Sequence, residues 1–294
     1  MYINHNSMAG NVANTLTSHY SNLATSTQRL SSGLRVNGAA DDAAGLAIRE
    51  LMRADIAALN QGVRNANDAI SLLQTADGAL GVIDEKLIRM KELAEQAATG
   101  TYDSTQRLMI ESEYQAMASE ITRIANATDF NGIKLLDGNL SSATHDGSGL
   151  TSTGKMKIHF GTLNDSAEDY YYIQIGTATA SALGVGNQAV NTSDAYTVST
   201  QEQAQKALVG INNAIVSKDK IRAHLGALQN RLENTITNIT TQSENLQAAE
   251  SRISDVDVAT EMTNFVRNQI LTQSAVAMLS QANSMPQMAM QLIH

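Results

Sequence analysis

The sequence predicts a mainly α fold: a long antiparallel helical coiled-coil rod formed by both chain ends, with a small β-hairpin region in the middle of the chain. Three observations lead there. The 294 residues contain one proline, Pro286. Proline breaks a helix interior at a cost of roughly 3 kcal/mol, so a chain almost without it can build very long helices. Apolar residues recur at alternating steps of four and three over both chain ends, which is the heptad pattern of helix-on-helix packing. Aromatic residues make up only 4% of the chain and Trp is absent. That composition favours thin layers closed by Leu, Ile, Ala and Met over a thick globular core.

The first helix runs from Ser7 to about Leu34 on the seam Ala9, Ala13, Leu16, Tyr20, Leu23, Thr27, Leu30 and Leu34, and ends near Asn37-Gly38. Asp41 and Asp42 then stand where a second helix needs an N-cap and negative charge against its dipole. Its seam is Met52, Ile56, Leu59, Val63, Ala66, Ile70 and Leu73, with a one-residue slip near Gly78 to Gly81 before Leu80, Ile83, Leu87, Met90 and Ala94 resume it. Stopping at Gly100, this helix would be on the order of 80 Å long. Asp103 or Ser104 caps a shorter helix with the stripe Ile110, Tyr114, Met117, Ile121 and Ile124.

Asn131-Gly132 and Asp137-Gly138 are turn dipeptides around Ile133, Leu135 and Leu136, so short strands begin here. Residues 139–154 read as a Ser, Gly and Thr rich loop. Met156 to Phe160 and Tyr170 to Ile175 read as two strands, and 182–186 and 189–200 as irregular chain. Helix returns at Gln201 and persists to Ser254, with Asp255 and Asp257 marking a junction.

The last stretch carries two adjacent seams. One is Leu271, Ala275, Met278, Ala282, Met285, Ala289 and Leu292; the other is Val276, Leu279, Asn283, Pro286, Met290 and Ile293. Two seams on one helix call for neighbours on more than one side. From Met262 onward, Arg267 is its only Lys, Arg, Asp or Glu, so the flanks suit close packing among copies better than a solvated coiled coil. The residues alone equally describe a soluble antiparallel bundle or a cytoplasmic coiled-coil scaffold, since an amphipathic stripe is ordinarily core.

The formal net charge of −9 argues against a nucleic-acid partner. There is no cysteine, and the six histidines, His5, His19, His145, His159, His224 and His294, are scattered without metal-ligand spacing. No nucleophile elbow, phosphate loop or dinucleotide fingerprint occurs, so no enzyme and no cofactor is expected. The start, Met1-Tyr2-Ile3-Asn4-His5, lacks the basic and apolar regions of a cleaved signal peptide, and no run reaches the ~20 apolar residues of a membrane span.

The residues from Leu30 to Ile48, LSSGLRVNGAADDAAGLAI, resemble the N-terminal signature of bacterial flagellins. Gln74 to Leu80, Arg89 to Ala94 and Phe130 to Leu136 agree with it, and Ser251 to Asp257 and Gln281 to Gln287 resemble the C-terminal signatures. Hook-filament junction proteins share such ends; the full Asp41 to Leu46 run and the Gln281 to Gln287 tail favour flagellin.

The resemblance implies residues 1–41 and 256–294 as two halves of an inner helical tube, 42–138 and 201–255 as an outer helical layer, and 139–200 as a short variable β region. It implies a helical homopolymer, the swimming filament, outside the cell. It also implies export through the flagellum's own type III channel without signal cleavage. An export chaperone at the C-terminal end and filament cap and hook-junction proteins are the implied partners. Leu16, Tyr20, Leu23, Leu30, Leu271, Ala275, Met278, Ala282, Met285 and Leu292 are the expected assembly seams. The contacts of a vertebrate Toll-like receptor carry over to Arg89, Leu93 and Glu113. The zinc peptidase some relatives carry needs a His-Glu-x-x-His helix, which this chain lacks.

Overall fold

The computed structural model of the chain describes residues 6–149, 153–166, 168–187 and 195–291. Its elements are α1 (Ser7–Ser32), α2 (Ala43–Ala98), α3 (Ser104–Ala127), β1 (Asp129–Phe130), β2 (Ile133–Lys134), β3 (His145–Asp146), β4 (Thr153–Gly154), β5 (Met156–His159), β6 (Tyr170–Ile173), α4 (Ala180–Leu183), α5 (Gln201–Ser254) and α6 (Val258–Gln291). The fold is mainly α, with three small antiparallel strand pairs among the described residues. The chain divides into two compact units, Met1–Ile56 with Glu244–His294, and Ala57–Ser243.

In the second unit, α2 buries a continuous seam at Leu59, Gly62, Ala66, Ala69, Leu73, Ala76, Leu80, Ile83, Leu87, Met90, Ala94 and Ala97. Every step is three or four, so the slip expected near Gly78 to Gly81 is absent. Small residues account for the difference: Gly62, Ala69 and Ala76 hold seam positions, while the bulkier Val63 and Ile70 are only half-buried beside it. α5 answers with Ala204, Ala207, Ile211, Ala214, Lys218, Leu225, Leu228, Leu232 and Ile239, and α3 with Ile110, Tyr114, Ala118, Ile121 and Ala125. Asp103 precedes α3, and its backbone N–H donates to the Gln106 side chain at 3.1 Å, closing one half of a capping box.

The β region is fastened to this unit. β1 and β2 form a hairpin over Asn131 and Gly132, both at positive φ (52° and 80°), as a type I′ turn requires. Leu135 and Leu136 directly after it are fully buried. β5 pairs with β6 from Met156↔Ile173 to His159↔Tyr170. The expected loop 139–154 is not wholly irregular, because His145–Asp146 pairs with Thr153–Gly154. A short α4 likewise replaces part of the irregular stretch expected at 182–186, capped by Thr179.

Gly62 permits a close backbone approach: a Cβ there would lie 2.0 Å from the Phe160 carbonyl oxygen. Nearby, Asn65 Nδ2 donates to the His159 carbonyl at 2.8 Å. Phe160 meets Tyr171 edge-on at 4.7 Å, and Arg231 lies 3.5 Å over the Tyr171 ring. Tyr114 is fully buried and its hydroxyl donates to the Ala195 carbonyl at 2.7 Å.

In the first unit, α1 stops earlier than the sequence suggests. Gly33, at φ 73°, takes the left-handed capping position, and its N–H donates to the Arg29 carbonyl. Asn37 and Gly38, the expected stop, instead donate their N–H groups to Asp41 Oδ2 at 3.0 and 3.2 Å. Asp42 caps α2, its Oδ1 accepting from Gly45 N–H at 2.9 Å. Arg49, buried to 8% exposure, ties the connection down by donating to the Val36 carbonyl at 2.8 Å.

Candidate assembly surface

Both chain ends meet in the first unit. Asn6, at the start of α1, donates to the Ala282 carbonyl of α6 at 2.8 Å, and Arg29, near the end of α1, lies 3.9 Å from Glu261 near the start of α6. The two helices are therefore antiparallel. Where α1 hands over, Leu34 and Asp255 form an antiparallel bridge, and Arg35 N–H donates to the Ser254 carbonyl at 2.6 Å. Asp257 caps α6 by accepting from the N–H groups of Ala259 and Thr260 and from the Thr260 hydroxyl. These bonds, the Thr260 side chain first, hold its carboxyl below the usual carboxylate range.

The covered faces are heptads in a register displaced from the expected one. On α1 they are Ala9, Val12, Leu16, His19, Leu23, Ser26 and Leu30; on α6 they are Glu261, Phe265, Asn268, Thr272, Ala275, Leu279 and Ala282. Leu16, Leu23, Leu30, Ala275 and Ala282 thus lie on the covered faces, and Met285 is half-buried. Tyr20 (53% exposed), Leu271 (39%) and Met278 (57%) point outward. Leu292 lies outside the described residues.

The displacement has a physical cause. α6 carries apolar side chains on more than one side, so side chains of similar hydropathy offer several seams, and the one facing α1 mixes Ala and Thr with Phe265 and Leu279. Counting apolar residues alone cannot find His19, Ser26, Asn268 or Thr272; their four-three spacing is the available signal.

α6 leaves many of its large apolar side chains uncovered. Val258, Met262, Val266, Ile270, Leu271, Val276, Met278 and Met288 are all 39–57% exposed. On α1 the large apolar side chains exposed among the described residues are Met8 and Tyr20. The pair is also incomplete in its polar contacts, since His19 Nδ1 and Arg29 Nε are buried without a hydrogen-bond partner among the described residues.

The expected receptor residues lie together on α2 and α3, but not all at the surface. Arg89 donates from Nε and Nη2 to Glu113 Oε1 at 2.9 and 2.8 Å, and from Nη1 to Glu92 at 2.9 Å. These bonds, Glu113 first, raise the Arg89 pKa. Leu93 is 1% exposed and belongs to the core. Its side chain faces inward from α2, whereas Arg89 and Glu113 are exposed. Among the described residues no helix is long and apolar enough to cross a membrane, and no three His, Cys, Asp or Glu are grouped to hold a metal.

Comparison with known proteins bears on this surface. Residues 3–141 match the bacterial flagellin N-terminal helical region and residues 208–293 the bacterial flagellin C-terminal helical region. The chain is 41% identical over 293 residues to the flagellar filament 33 kDa core protein of Treponema phagedenis, and 42% identical over 310 residues to flagellin of Bacillus subtilis strain 168, covering 100% of both chains in each case. A putative flagellar hook-associated protein from Vibrio parahaemolyticus has a similar fold, with a TM-score of 0.56 at 14% identity over 73% of this chain and 100% of that one.

Proposed function

The chain belongs to the bacterial flagellin family and is a structural protein of the flagellar filament; from that premise we propose that it polymerises by burying the outward face of α6 against other copies of itself. The observation that carries this reading is that α6 exposes eight large apolar side chains outside the one side that α1 covers. Fully burying a Leu, Val or Met contributes roughly 1.5–3 kcal/mol. The eight outward side chains are about half exposed already, so covering them yields on the order of 10 kcal/mol, enough to offset the ordering and association of the helix pair. Met278→Asp therefore leaves the Ala57–Ser243 unit folded and abolishes filament formation from seeded monomer. Normal filaments from that variant would sink the reading.

The outward face also supports the expected partners. An export chaperone engaging the C-terminal end would cover the same apolar side chains before assembly, and the cap and hook-junction proteins would meet subunits whose ends are still unpaired. Export through the flagellum's own channel accords with ends that gain most of their order on assembly. For a vertebrate Toll-like receptor, the accessible part of the expected patch is Arg89 and Glu113, with Leu93 supporting them from within. Arg89→Ala should lower receptor-reporter activation at unchanged melting temperature, because an exposed ion pair adds little stability. Equal activation by variant and parent would remove that role.

A further inference from the structure

We infer that two ionic rungs between α2 and α5 set the register of a helix pair whose hydrophobic seam cannot set it. Lys218 occupies a seam position of α5 and is 1% exposed. Its amine lies 2.5 Å from Asp84 Oδ1 on α2 and 2.7 Å from Asp219 Oδ1 on its own helix. One turn further along, Arg222 donates from Nε and Nη2 to Asp77 Oδ1 and Oδ2 at 2.7 and 3.2 Å. Asp77 and Asp84 are one heptad apart on the same flank of α2. The contact of Ser243 Oγ with Asn60 Oδ1, at 3.4 Å, belongs to the same antiparallel register.

A lysine in a seam is costly in hydration and is a poor choice for stability alone; an apolar residue of similar length would do as well or better. Polar groups at such positions are known to specify register. Here specification is needed. In the register fixed by these contacts the apolar seam positions of α5 face Ala97, Ala94, Met90, Leu87, Leu80 and their successors down to Gly62. Sliding α5 by one heptad carries Ala204 and Ala207 past the end of α2 in one direction and sets Ile239 against Asp55 in the other, but every apolar seam position between these ends still meets apolar or small residues of the same α2 series. The apolar seam is therefore nearly blind to a slip of seven residues.

The rungs are not blind to it. A slip toward the C-terminal end of α2 would set Arg222 against Asp84 but Lys218 against Lys91; a slip the other way would set Lys218 against Asp77 but Arg222 against Ile70. Only the observed register pairs both cations.

The chain has no cysteine, so spin labels can be placed on the full chain at exposed Glu85 and Glu233 and the distance between them measured by pulsed electron resonance. The parent gives one narrow distance. D77R/K218M removes both preferences and leaves Arg222 with Asp84, so a second population appears, shorter by about 10 Å along the helix axis, seven residues at 1.5 Å each. Adding R222D restores the lower rung with its two charges exchanged and returns the single parental distance. A D77R/K218M protein with only the parental distance overturns the inference. Should D77R/K218M unfold instead, rescue of the single distance by R222D supports register control, and failure to rescue overturns it.

Discussion

The α1–α6 pair and the α2–α3–α5 core follow the same heptad rule with different results. In the core the seam positions are nearly all fully buried, and the polar ones are matched, as Lys218 is by Asp84 and Tyr114 by the Ala195 carbonyl. In the terminal pair the seam mixes Leu16, Leu23, Leu30, Phe265 and Leu279 with Ala and with the polar His19, Ser26, Glu261, Asn268 and Thr272, is mostly half-covered, and leaves two buried nitrogens unpaired. Eight large hydrophobes of α6 face outward. A heptad pattern therefore says that a helix packs, while the placement of its largest apolar side chains says whether the packing is finished within one chain.

The sharpest way to test that contrast is to place the same charge in each layer. Ile83→Asp puts a carboxylate into the closed core and should cost more than about 4 kcal/mol, abolishing cooperative melting of the Ala57–Ser243 unit. Met278→Asp, outward on α6, should leave that melt unchanged and remove assembly alone. Equal damage to folding from both would erase the distinction. A smaller loss follows from Gly62→Ala. Its Cβ would meet the Phe160 backbone, which cannot yield as a flexible side chain can, so a destabilisation of about 1–3 kcal/mol is expected in thermal or urea melts.

The smallest effect concerns Tyr114. Burial first, and then the Glu111 charge, push its phenol well above the usual tyrosine range. The folded state thus holds the proton more tightly than the unfolded one. The stability this gives is complete below about pH 10 and declines as pH rises through the interval up to the folded value, by at most about 1.4 kcal/mol per pH unit. Tyr114→Phe should cost about 1 kcal/mol at neutral pH through the lost hydrogen bond to the Ala195 carbonyl, which keeps only its bond from Gly186 N–H, and should flatten the alkaline decline in urea-melt midpoints.

Helices, their order and the hairpin turns are legible in the sequence because each rests on local chemistry: the near absence of proline, the carboxylates of Asp42, Asp103 and Asp257, and the Asn131-Gly132 pair. Register is less legible. Ile70 outweighs Ala69 on hydropathy and suggests a slip that Ala69 and Ala76 make unnecessary. The same preference for bulk places Tyr20 and Met278 on seams that His19 and Leu279 occupy within the chain. A family resemblance carries residue types but not burial, so it cannot show that Leu93 lies inside. The β3–β4 pair and the ionic rungs on α2 and α5 depend on contacts that local spacing along one segment cannot reveal.

The central claim, that the chain ends complete their packing in other copies, is tested most directly by seeded assembly under the electron microscope. The full chain is compared with a piece cut to residues 42–254, which lacks α1 and α6. Long helical filaments from the full chain and none from the shortened one are the predicted result. Filaments from both, or discrete soluble oligomers from both at every concentration, would contradict it.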